Sequence, residues 1–228
     1  MIPSTVAIMQ DNSIHGEDTF LTRDLGNNAF LDAVMDGVTA HGGEEASRSV
    51  KEALEAIPVN SPEDVVAALE DINDEFYQVG GGRFLLTTVS TALYLANRLY
   101  VIGAGDSPIF LVKPDSVDQI CGRTGRFFHV GVASTVGAGP SLSNLTRLET
   151  NIEPGFRLIL ATDGLSDNIL TPHLAEIVRG AESPEDASQQ TNSTVEYFLQ
   201  SGRVPEELGR RFRRDDRTGI FRFFTTPT

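Results

Sequence analysis

A single cysteine, Cys121, and no apolar run near the ~18 residues of a membrane span set the first limits on this chain of 228 residues. One cysteine excludes an internal disulfide. The opening MIPSTVAIMQDN has no basic stretch leading into a long apolar run, so it does not read as a secretory signal. Together these place the protein in the cytoplasm, with no membrane attachment. Positive charge is also short. The formal net charge is −14, which argues against nucleic acid, whose binders need basic patches to release counterions. There is no HExxH and no Cys/His cluster, which argues against zinc. No fixed-period repeat, low-complexity tract or linker interrupts the chain. With 40% apolar residues, it is expected to fold as one domain over 1–228, a monomer without coiled-coil heptads.

What is present is a mixed pattern. Val6 to Met9, Ala29 to Met35, Thr87 to Ala96, Leu99 to Gly103, Ser107 to Val112, Arg157 to Ala161 and Gly219 to Phe224 read as strands. Asn97-Arg98 reads as the turn of a hairpin. Helices are predicted from Glu44 to Ile57, and from Ser61-Pro62 to the stop at Gly80-Gly81-Gly82. The second carries an apolar stripe of Val65, Leu69, Ile72, Phe76 and Val79. Thr171-Pro172 and Ser183-Pro184 open two more, ending near Gly180 and Gly202. Central hairpins with helix pairs on either side predict an α+β fold of antiparallel sheets covered by helices.

Aspartates stand where several of these strands end. They are Asp36 in AVMDG, Asp106 in VIGAGDS, Asp163 and Asp167 in LILATDGLSD, and Asp215-Asp216 before the last strand; Glu17-Asp18 follows the first. Any one Asp-Gly is an ordinary turn. Several at strand ends can converge carboxylates from distant parts of the chain, as a hard cation requires. Mg²⁺ and Mn²⁺ prefer oxygen ligands.

In order and spacing the segments GEDTF, VMDGVTAHGGEEAS, TTVSTALYLANRLYVIGAGDSP, ATDGLSDNI and DDRTGIFRF resemble the PPM-type (type 2C) metal-dependent serine/threonine phosphatases, in particular the compact bacterial forms. The resemblance implies a four-layer α/β/β/α sandwich and hydrolysis of phosphoserine or phosphothreonine in a protein substrate, opposing a serine/threonine kinase. It also implies two Mg²⁺ or Mn²⁺ ions, with a third possible. Asp36 is similar to the aspartate that bridges two metals, Gly37 to the glycine whose carbonyl binds the second, and Asp163 and Asp215 to the remaining ligands of the first. Asp216 is a rival to Asp215. Glu17 and Asp18 would act through water, while Asp106 and Asp167, with Asp163, resemble a third metal position. Metals sharing a carboxylate would activate water for in-line attack with no covalent enzyme intermediate. Cys121 is then a packed thiol, and Arg126 falls one residue short of a CxxxxxR phosphate loop.

Three positions depart from the family. Ser13 stands where many members have an arginine that grips phosphate; Arg23 and Arg83 are candidates to replace it. Val38 stands where animal members have a histidine, and His41 matches the histidine of the bacterial form, as general acid or as a turn residue. Pro108 replaces a common arginine at a strand start. His15, His129 and His173 lack partners at ligand spacing and are expected as surface or turn residues. Arg210, Arg211, Arg213 and Arg214 form a basic cluster that is either a solvated run or an attractor of phosphorylated substrate. A catalytically impaired pseudophosphatase that binds or regulates, and a phosphatase of a small phosphorylated metabolite, are the alternative functions.

Overall fold

Alternate residues of each central strand bury toward different layers, and this dictates the architecture. The computed structural model describes residues 1–122, 134–142 and 144–226. Its strands are β1 (Ser4–Asp11), β2 (Asp18–Gly26), β3 (Ala29–Asp36), β4 (Val89–Leu95), β5 (Arg98–Ala104), β6 (Ile109–Val112), β7 (Val117–Cys121), β8 (Thr146–Asn151), β9 (Arg157–Ala161) and β10 (Arg217–Phe224). The helices are α1 (Gly43–Ala56), α2 (Pro62–Gly80), α3 (Asp163–Ser166), α4 (Thr171–Gly180) and α5 (Pro184–Ser201), followed by a 3-10 segment at Glu206–Arg211.

Two antiparallel five-stranded sheets result, ordered β1-β10-β9-β6-β7 and β2-β3-β4-β5-β8. In β3, Leu31, Ala33 and Met35 pack against Val50 and Leu54 of α1 and Val65, Leu69 and Phe76 of α2. Its alternate residues Phe30 and Val34 face the other sheet and meet Leu158 and Leu160 of β9 and Ile220 and Phe224 of β10. In β9 and β10, Ile159, Phe221 and Phe223 face outward onto Leu174 and Val178 of α4 and Val195 of α5. The period-2 alternation thus serves two cores per sheet, giving the four-layer α/β/β/α sandwich. One charged pair lies inside it. The Arg222 guanidinium grips both oxygens of the wholly buried Asp32 at 2.6 and 2.9 Å and stacks on the Phe30 ring.

Several local expectations need correction. The turn between β4 and β5 is Ala96-Asn97, both at positive φ (50° and 65°), and Arg98 already belongs to β5. That is the left-handed two-residue turn that matches strand twist. Val79 is not part of the buried stripe of α2; it is 74% exposed. Strands β2, β7 and β8 do not stand out in the sequence, and all three are sheet edges. Cys121 is a packed thiol against the Ser90 hydroxyl, its pKa raised by burial. Arg126 and His129 lie outside the described residues, as does the side chain of Arg210. No described helix is long and apolar enough to cross a membrane.

Candidate active site

Antiparallel pairing fixes which strand ends share an edge of the molecule. Asp36 ends β3, and Asp18, which opens β2, is its direct partner across the ladder. Strand β5 runs parallel to β3, two places away through β4, so Asp106 emerges at the same end. In the other sheet β9 runs into Asp163, and Asp215 precedes its antiparallel neighbour β10. Asp36 feels the charges of Asp163, Asp18, Asp106 and Asp215, so these ends from both sheets lie near one another.

Short polar side chains set the geometry. The Asp36 carbonyl accepts from the Thr88 N–H (2.8 Å) and the Thr87 hydroxyl (3.0 Å), and the Thr88 hydroxyl accepts from the Asp36 N–H at 3.1 Å. The Thr88 and Ser107 hydroxyls bond to each other at 2.7 Å, tying the Asp106 turn to the Asp36 turn. Thr162, the residue before α3, accepts from the Thr218 N–H at 2.9 Å and donates to Asp18 Oδ2 at 2.7 Å. Gly37 is required by packing. A Cβ there would lie 2.4 Å from the carbonyl carbon and oxygen of Gly43, the first residue of α1.

The adjacent pair Asp215-Asp216 divides its work. Asp216 is buried, and its carboxylate accepts from the N–H groups of Ile14, His15 and Glu17 at 3.0, 3.0 and 2.9 Å. It holds the loop between β1 and β2, where Ser13 lies. Asp215 instead faces Arg213 Nε at 3.0 Å and His15 Nε2 at 3.8 Å. His15 is an exposed loop residue, as expected, and its ring also stands beside the acidic cluster. No spacing rule could find it, because Asp216 curls the loop that carries it.

The cluster is electrostatically strained. Burial raises the Asp36 carboxyl well above the ordinary carboxylate range, and the charges of Asp163, Asp18, Asp106 and Asp215 push it further. Asp18 is pushed up to about 7, chiefly by burial, against the opposing hydrogen bond from Thr162. Asp163 also reaches about 7, chiefly by burial; Arg213 pulls it down while Asp167, Asp215 and Asp106 raise it. Such a group of oxygen donors fits a hard divalent cation in charge and donor type. Its arrangement is open, however. Among the described residues no three acidic, imidazole or thiol side chains close on one point as a cation cage. A guanidinium is the positive charge at hand: Arg213 ion-pairs with Asp163 as well as Asp215, and Arg211 with Asp167 at 3.5 Å.

The remaining expectations separate by position. The Glu17 carboxylate accepts from the Thr39 hydroxyl at the rim. His41 Nδ1 lies 2.7 Å from the Arg83 carbonyl, so Nδ1 carries the proton and Nε2 is the atom free to exchange one. Arg23 donates to the carbonyls of Leu54 and Ile57 at the end of α1 and is committed there. His173 packs edge-on against Phe198 of α5. The sequence did not single out Thr88, Thr162 or Asn168. Asn168 is fully buried and joins the Gly164 carbonyl to both backbone polar groups of Arg213.

A model of the Stage II sporulation protein E (SpoIIE) family matches residues 25–219. No curated protein sequence matches the chain. Among solved structures, PppA, a key regulatory component of T6SS in Pseudomonas aeruginosa, aligns over 97% of this chain and 98% of its own, with TM-score 0.78 and 19% identity. The serine/threonine phosphatase Stp1 from Staphylococcus aureus aligns over 99% and 96%, with TM-score 0.78 and 18% identity. The catalytic domain of the serine threonine protein phosphatase PstP, in complex with two manganese ions, aligns over 99% and 100%, with TM-score 0.73 and 19% identity. At such identities the likeness establishes the fold, which is that of the PPM-type phosphatases.

Proposed function

This chain belongs to the SpoIIE family, and on that footing we propose that it is a phosphatase of phosphoserine and phosphothreonine in proteins, using two Mg²⁺ or Mn²⁺ ions held by aspartates. The observation that carries this is the meeting of Asp18, Asp36, Asp106, Asp163 and Asp215, from five separate strand ends, in one mutually repelling cluster. Such repulsion costs stability and makes physical sense when divalent cations offset it.

Asp36 would bridge the two ions, with the Gly37 carbonyl on the second and Asp163 and Asp215 on the first. Glu17 at the rim and the buried Asp18 would act through water, and Asp106 and Asp167 would complete a third position with Asp163. The bound ions supply Lewis acidity and a lowered pKa for water. The chain supplies the rest. Thr87 and Thr88 fix the Asp36 backbone, and Thr162 aims Asp18. His41 offers Nε2 as the site from which a departing serine or threonine alkoxide takes its proton. The whole of 1–228 would act as one catalytic domain, monomeric and cytoplasmic, reversing a serine/threonine kinase.

Phosphate release from a phosphothreonine peptide, in EDTA and then with Mn²⁺ or Mg²⁺ added, tests the function. Turnover only with metal is expected. A folded protein without turnover in any metal would leave the second function, a pseudophosphatase. That one is favoured by Ser13 and by the arginine pairing of Asp163 and Asp215.

A further inference from the structure

Two of the proposed ligands of one ion, Asp163 and Asp215, already share a cation of the chain's own. The Arg213 guanidinium spans them, using one terminal nitrogen on Asp163 Oδ2 and Nε on Asp215 Oδ2. Two properties of this arginine pull in different directions. Its backbone is rooted: Asn168 Nδ2 donates to the Arg213 carbonyl at 2.8 Å and Oδ1 accepts from its N–H at 3.3 Å. The same amide donates to the Gly164 carbonyl at 2.7 Å, so the root of Arg213 is fixed to the turn that carries Asp163. The side chain, by contrast, is 54% exposed, with solvent to turn into.

A guanidinium and a divalent cation compete for the same carboxylate lone pairs, and both cannot hold Asp163 Oδ2 and Asp215 Oδ2 together. We propose that Arg213 is an exchangeable counter-ion. It neutralises Asp163 and Asp215 until a divalent cation takes them, and its released guanidinium then grips the substrate phosphate, the task for which Ser13 has no charge. The inference rests on the metal-dependent phosphatase function proposed above. It assigns to one residue two opposite effects: Arg213 opposes cation binding and favours phosphate binding. A planar fork on a fixed root suits a phosphoryl group bidentately, whereas the neighbouring Arg214, also exposed, makes none of these contacts among the described residues.

The test is calorimetric titration of Mn²⁺ into the chelator-stripped full chain, and of inorganic phosphate into the Mn²⁺-loaded chain. It compares wild type, Arg213→Gln, Arg213→Lys and Arg214→Gln. Arg214→Gln removes the same charge from the same segment and serves as the control. Losing one partly exposed double ion pair should tighten Mn²⁺ binding by about fivefold in Arg213→Gln. Inorganic phosphate should bind about tenfold more weakly to that variant, as expected for loss of one charge-assisted contact. Arg213→Lys should keep most of the opposition to Mn²⁺ but grip phosphate less well than wild type. Arg214→Gln should change neither.

Unchanged or weaker Mn²⁺ binding in Arg213→Gln, an equal tightening in Arg214→Gln, or undiminished phosphate binding in Arg213→Gln overturns the proposal and leaves the phosphatase standing. Absence of saturable Mn²⁺ binding in wild type removes both.

Discussion

Gly164 lies against Asp216 so closely that a Cβ built on it would stand 1.8 Å from the Asp216 carbonyl oxygen. This contact draws the Asp163 turn and the Asp215-Asp216 segment together, although about fifty residues separate them in sequence. Gly164→Ala must push the two apart. It should cost about 1–3 kcal/mol of stability, as overpacking does. Mn²⁺ affinity should fall with it. Thermal unfolding and Mn²⁺ titration of the same sample check both; a variant with wild-type values in each would show that the approach is not needed.

Neighbouring aspartates should fail differently. Asp216→Ala leaves the N–H groups of Ile14, His15 and Glu17 without their acceptor and should cost about 2–3 kcal/mol. Asp215→Asn removes only partly exposed ion pairs, so stability should stay within about 1 kcal/mol while Mn²⁺ binding is lost. Denaturant melts in EDTA separate the two. The reverse pattern would exchange the roles of the pair.

Stability in EDTA should depend on pH in an unusual direction. Asp18 and Asp163 titrate near 7 in the folded chain, and Asp36 lies well above its ordinary value. The native state therefore holds protons that the unfolded chain has released. Their contribution is complete below the unfolded carboxylate pKa of about 4 and fades as pH rises through about 7. The chelated protein should lose on the order of 2–4 kcal/mol between pH 5 and pH 8. Asp36→Asn should be more stable than wild type at pH 8, and saturating Mn²⁺ should flatten the wild-type profile. A chelated protein that gains stability over that interval would refute the electrostatic account.

Inside the sandwich, Asp32→Ala strands the buried Arg222 guanidinium and should cost about 3–5 kcal/mol. The double variant Asp32→Leu/Arg222→Met should recover most of that, since an apolar pair fits a layer already lined by Phe30 and Phe224. A double-mutant cycle by chemical denaturation measures it. Additive losses would mean that the two residues do not act as a pair.

Central elements were legible in the sequence, whereas of the edge strands only β1 was. Strands β3, β9 and β10 are buried on both faces, so they read as near-continuous apolar runs. Edge strand β2, DTFLTRDLG, and edge strand β8, TRLETN, alternate polar and apolar residues irregularly, as strands half open to water do. The sequence does carry one signal for β2: Asn27-Asn28, with φ of 54° and 63°, makes the tight turn that pairs β2 with β3. In the site, the aspartates announced themselves by standing after apolar strands. The residues that aim them did not. A threonine before a helix or at a strand start is commonplace until its hydroxyl is seen to reach Asp18 or Asp36. The contacts of Arg213 were hidden for the same reason, since nothing in RRFRRDD distinguishes Arg211 and Arg213, which pair with aspartates of the site, from Arg214.

Strand β10 occupies the second position of its sheet, between β1 and β9, although it is the last of the described strands. During synthesis, then, β1 waits for a partner made more than two hundred residues later. Until residues 215–224 leave the ribosome, β1 and β9 cannot close around β10, and Asp215 is absent from the cluster. A nascent or prematurely terminated chain thus lacks both the inner strand of this sheet and one member of the acidic cluster. It also presents unpaired strand edges, the kind of surface that invites aggregation and chaperone binding.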